Sequence, residues 1–92
     1  MSSGHYVINV KRILGKDGKV LPHPEWQYLM LSKTFGPSFF IESYAKHFST
    51  RIEAQSYFIK NRSIIMKMLE KGYDLETLGI RKLSYSLVQR LK

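Results

Sequence analysis

Apolar and polar residues alternate along the start of the chain. Tyr6, Ile8, Val10 and Leu14 fall on one side of an extended segment, and Val7, Asn9, Lys11 and Ile13 on the other. That two-residue period, carried by β-branched residues, predicts a half-buried strand. Gly15 to Lys19 follows, and Asp17-Gly18 between apolar runs predicts a hairpin, because both residues tolerate positive φ. The return strand passes through Val20 and Leu21. It is interrupted or pushed to an edge at Pro22 and Pro24, which cannot donate to a ladder. It resumes with Trp26, Tyr28 and Met30 on one face. Lys33 to Ser38, holding Gly36-Pro37, reads as a loop, and Phe39 to Phe48 as a third, less regular strand. Residues 5–48 are thus mainly strands, after a disordered start at residues 1–4.

From Thr50 the period changes. Thr50-Arg51-Ile52-Glu53 is a capping box, in which Glu53 is expected to reach back to the Thr50 amide. Ala54, Tyr57, Phe58, Asn61, Ile65, Met68 and Leu69 then recur at helical steps, an apolar stripe broken only by Asn61. Gly72 is a natural stop, with Lys67 and Lys71 near the negative end of the helix dipole. One helix is expected over 50–71. The tail supports two patterns. Leu83, Tyr85, Leu87, Gln89 and Leu91 alternate as a strand would, whereas Ile80, Leu83, Leu87, Val88 and Leu91 fit a helical stripe. A strand over 79–91 is favoured, because Ser84, Tyr85 and Ser86 are mediocre helix formers and Gly79 makes a boundary. The architecture expected is α+β: one domain over residues 1–92, an antiparallel sheet of about three to four strands with one long helix packed on it.

Composition narrows what such a domain does. The chain has 92 residues, 43% of them hydrophobic and 13% aromatic, too apolar for a disordered segment and enough for one modest core. It has no cysteine, which excludes disulfides, thiolate metal sites and a thiol nucleophile, and fits a cytoplasmic location. No apolar run reaches the roughly 18 residues of a membrane span, and the start lacks the apolar core of a signal peptide. Lys and Arg number 15 against 7 Asp and Glu, a formal charge of +8. On so small a body that favours a polyanion partner.

Catalytic chemistry finds little support. His5, His23 and His47 show no metal-ligand spacing with the carboxylates, and no serine sits in a nucleophile elbow. No cofactor or metal is implied. A histidine beside cations could cleave RNA by general acid–base chemistry, which would centre on His47, but a non-enzymatic protein is expected. The cations divide among the first strand (Lys11 and Arg12), the helix (Lys60, Arg62, Lys67 and Lys71) and the tail (Arg81 and Lys82). These are the candidate phosphate contacts. Tyr6, Trp26, Tyr28, Phe39, Phe40 and Tyr44 are interleaved with them and could stack unpaired bases on an open sheet, although most are expected in the core. No single-strand recognition motif or helix-turn-helix is present, so weakly sequence-selective binding is expected, to RNA in preference to DNA. Ile52, Ile59 and Met66, seven residues apart on the side of the helix away from Ala54, Phe58 and Ile65, form a candidate interface for a protein partner or a homodimer.

A Tyr-Val-Ile strand and tight hairpin, followed by Ala45-Lys46-His47-Phe48-Ser49-Thr50 leading into a helix with Glu53-Ala54 and Tyr57, resembles a recurrent type of short phage protein. In size and basicity the chain is also similar to small RNA-binding factors of large-tailed phages that restrain host ribonuclease toxins. What the resemblance implies is a phage accessory or counter-defence protein that inhibits or modulates a host enzyme by binding, with no functional residue transferred. The competing expectation is an inhibitor that docks its basic face directly on an acidic host protein, without nucleic acid.

Overall fold

A computed structural model describes residues 5–32, 34 and 36–83. The first alternating segment is β1, His5–Leu14, which turns into β2, Val20–Ser32. The hairpin forms where Asp17-Gly18 predicts it, but Asp17 keeps a negative φ and shares the centre of the turn with Lys16. Gly18 has φ +81°, its amide donates to the Gly15 carbonyl at 3.0 Å, and the Lys19 amide donates to the Asp17 carboxylate at 3.0 Å. Among the described residues, a short β3, Gly36–Phe40, and β4, Tyr73–Leu83, make up the rest of an antiparallel sheet of order β3-β2-β1-β4. The α+β expectation holds, with four strands.

The connection between β2 and β3 is tighter than the predicted loop, because Gly36 to Ser38 already pair with Met30 to Ser32. Pro37 is accommodated on an edge strand, where a missing donor costs little. The predicted third strand also ends early, at Phe40. Glu42–Tyr44 forms a single 3₁₀ turn, after which the Lys46 amide donates to the Leu29 carbonyl at 2.8 Å. Phe48 and Tyr6 then exchange backbone hydrogen bonds of 3.0 and 2.8 Å. That return occupies the fork beyond the Asn9–Tyr28 pair, where the β1–β2 register ends.

Both neighbours of β1 carry irregularities. On β2 the register jumps from Arg12–Glu25 to Leu14–Val20, so Pro22 and Pro24 lie in an excursion where no ladder donor is needed. On β4 it jumps from Asn9–Gly79 to Lys11–Asp74. Thr77 repairs that gap: its hydroxyl accepts from the Lys11 amide at 2.8 Å and donates to the Asp74 carbonyl at 2.6 Å. The strand predicted over 79–91 therefore begins earlier, at Tyr73, and Gly79 lies inside it instead of bounding it. Residues 84–91 of that prediction fall outside the described residues.

The single helix expected over 50–71 is two: α1, Arg51–Lys60, and α2, Arg62–Met68. Asn61, the polar break in the stripe, is the reason. Its φ of −112° and ψ of 20° leave the helical region, and its side-chain amide donates to the Tyr57 carbonyl at 3.0 Å, the same oxygen its backbone amide uses. Asn competes in this way for backbone groups and bends helices. The cap forms as predicted on one side, with the Glu53 amide donating to the Thr50 hydroxyl at 3.1 Å. The reciprocal bond falls one residue earlier than predicted, from the Ser49 amide to the Glu53 carboxylate at 2.9 Å.

The apolar stripe survives the break. Ala54, Ile65 and Leu69 are buried with Ile8, Val10, Leu29, Phe39 and Phe48, and Tyr57, Phe58, Met68, Tyr73 and Ile80 pack around them. Each large aliphatic side chain so buried contributes about 1.5–3 kcal/mol. Burial also holds the Tyr57 phenol above its ordinary pKa of 10.0, a neutral ring against Phe48. Among the described residues no helix is long and apolar enough to cross a membrane.

Candidate nucleic-acid interface

Strand pairing fixes which side chains share a face, since directly paired residues point the same way. Ile8 and Val10, with Ile80 paired to Ile8 and Leu29 paired to Phe39, face the helices. The opposite face carries a cross-strand row of Gly79, Asn9, Tyr28 and Phe40, each paired with the next. Beside it runs a second row of Asp74, Lys11 and Trp26. Among the described residues no helix packs on this face. Strand spacing of about 4.8 Å brings the rings close together, and Tyr44 extends them by stacking on Phe40, with centroids 5.6 Å apart and planes at 14°.

Trp26 is the centre of the arrangement. The residue is 38% exposed, with the Lys11 ammonium 5.3 Å and the Arg81 guanidinium 5.2 Å from the ring centroid. Contacts of this kind stabilise by about 0.5–1 kcal/mol at exposed sites and hold the cations over the aromatic surface. Arg81 also donates to the Thr77 carbonyl at 3.1 Å. A side chain at Gly79 would collide with the Arg81 guanidinium, so the glycine leaves the space that Arg81 occupies. Next to Gly79, Asn9 is only 4% exposed, and its buried carboxamide oxygen has no hydrogen-bond partner among the described residues. An unsatisfied buried acceptor of this kind costs about 1–3 kcal/mol.

The eight cations expected to contact phosphate do not form one surface. Lys11 and Arg81 come together on the face opposite the helices. Arg12, one residue along β1, turns to the other face, where its guanidinium lies 5.9 Å from the Tyr73 ring. Lys82 pairs with Tyr6 and is exposed. Lys60, Arg62 and Lys67 are exposed on the helices and Lys71 just after them, in the layer that covers the other side of the sheet. Of the six aromatics weighed for stacking, Phe39 is buried and Tyr6 packs on the core. Trp26, Phe40 and Tyr44 are exposed and Tyr28 is half-buried, so the share left outside is larger than expected.

Sequence reasoning missed Asn9 and Gly79 as site residues. The available signal was a polar residue in the middle of a β-branched run, two positions from a lysine. Of the apolar helix residues, Ile52 and Ile59 are exposed, at 74% and 63%, but Met66 is half-buried. Ile64, at 55%, is exposed with them and was not anticipated. A shallow cavity of about 340 Å³ lies between α1 and β4, lined by residues including Arg51, Gln55 and Phe58. His23 and His47 are both exposed. No protein-family model matches the chain, and neither does any curated protein or solved structure among those compared.

Proposed function

We propose that the face of the sheet opposite the helices binds single-stranded nucleic acid, RNA in preference to DNA. The observation that carries this reading is Trp26, an exposed indole flanked by Lys11 and Arg81 and continued by Tyr28, Phe40 and Tyr44. Every base has a π-face, so a run of rings accepts unstacked bases with little regard to sequence, at about 1–3 kcal/mol per stacked base. Cations beside the rings meet the phosphates that link those bases, and the charge of +8 adds long-range attraction. RNA is favoured because its loops, bulges and ends present splayed, unpaired bases. On the phage resemblance, binding would serve to inhibit or modulate a host enzyme such as a ribonuclease toxin.

Trp26 is the chain's sole tryptophan, so the test is direct. Titration with single-stranded RNA should quench its fluorescence, with an affinity that falls steeply with salt. Unchanged emission at low salt would remove the reading. A second reading, direct docking on a host protein, draws on the exposed Ile52, Ile59 and Ile64. A complex of that kind survives nuclease treatment, whereas one bridged by RNA falls apart.

A further inference from the structure

Asn9 has no evident structural reason to be where it is. It lies on β1 between Gly79 and Tyr28, nearly sealed from solvent, with its carboxamide oxygen unpartnered among the described residues. A buried acceptor without a donor is the kind of group that a ligand satisfies. Its surroundings suit that role. Trp26 is its diagonal neighbour on the same face, and the residue on its other flank, Gly79, carries no side chain. The space above Gly79 is filled by the flat guanidinium of Arg81, held by one hydrogen bond to the Thr77 carbonyl and by the indole. A planar cation resting on tryptophan beside an unsatisfied acceptor has the shape of a nucleobase and the mobility of a side chain.

We propose that Asn9, Trp26 and Arg81 form a base-reading subsite for adenine within the face described above, an inference that rests on the nucleic-acid reading. On binding, Arg81 leaves the indole and pairs with a backbone phosphate. Adenine takes its place on Trp26, and its exocyclic amine donates to the Asn9 oxygen. The purine stacks over more of the indole than a pyrimidine can. The carboxamide offers one acceptor and one donor, the complement of adenine's amine and adjacent ring nitrogen. The general stacking surface thereby gains a preference at one position.

The experiment compares, by quenching of Trp26, oligo-adenosine with the same oligomer built from purine riboside, which stacks alike but lacks the amine. The unmodified chain should bind oligo-adenosine about tenfold more tightly, the equivalent of about 1.4 kcal/mol. Asn9→Leu, similar in volume and free of the orphaned acceptor, should melt no lower than the parent and bind the two oligomers equally. Equal binding by the unmodified chain would overturn the subsite and leave the nucleic-acid reading standing. A preference that persists in Asn9→Leu would overturn the role of Asn9. Absence of binding by either oligomer would remove both readings. The comparison on the unmodified chain keeps its force even if the variant fails to fold.

Discussion

The two faces of this sheet are built from the same strands and obey different rules. On the helix side, Ile8, Val10, Leu29 and Phe39 are sealed by Ala54, Ile65 and Leu69 from a separate layer. On the other side, Val7 and Asn9 of the same strand are equally buried, yet no described helix packs over them. There the long side chains of the sheet itself, Lys11 and Arg81, lie over Trp26. A cover made of charged, flexible side chains can be removed by a ligand, and one made of packed helices cannot without unfolding. The first face therefore supports stability, and the second is the one on which the proposed binding rests.

The largest effects should come from the helix-covered face and be confined to stability. Ile65→Ala removes a fully buried side chain from α2 and should cost about 2–5 kcal/mol in urea denaturation. At temperatures where the variant remains folded, nucleic-acid affinity should be unchanged. A selective loss of binding by the folded variant would break the division between the faces.

Charge reversal on the face opposite the helices should behave the opposite way. Lys11→Glu with Arg81→Glu should cost about 1–2 kcal/mol, the two cation–π contacts to Trp26 being lost. It should also flatten the salt dependence of single-strand binding by about 0.7 in log–log slope for each phosphate no longer neutralised. Lys67→Glu with Lys71→Glu, in the layer on the other side, should weaken binding less and equally for all sequences. If the helix pair has the larger effect, the polyanion engages the helix layer instead. Thr50→Ala is smaller again: losing the 3.1 Å cap to Glu53 should cost about 1 kcal/mol and leave binding intact.

The elements legible in the sequence were those whose signals are local. The alternation of β1, the Asp17-Gly18 turn and the Thr50 cap each involve residues a few positions apart, and each formed where expected. The failures came from compensation between distant segments. Nothing near Gly79 shows that Thr77 will satisfy the Lys11 amide, and that bond allows β4 to start at Tyr73 and carry its irregularity. The helix break was visible as a polar residue in an apolar stripe, but its consequence depends on Asn61 bonding backward to Tyr57. The candidate site was half legible. Trp26, Tyr28 and Lys11 were assigned to alternating strands, while their convergence with Arg81 required the register of β4 against β1. Cations chosen by charge alone divided between the two layers because sequence spacing does not say which layer faces a ligand.

The smallest effect is also the sharpest test of the removable cover. A methyl group at Gly79 meets only the far end of Arg81, and the glycine needs no positive φ, so Gly79→Ala should change stability by less than about 1 kcal/mol. The guanidinium must nevertheless move away from the indole. Trp26 emission in the free protein should shift to that of a more exposed indole, while single-stranded RNA still quenches it. If Arg81 instead serves as a fixed part of the binding surface, displacing it will reduce affinity as strongly as Arg81→Ala. Retained affinity for a pyrimidine oligomer with altered emission is the outcome expected of a side chain that ligand binding already displaces. The preference for oligo-adenosine should be lost, because the methyl intrudes on the space adenine would take from Arg81.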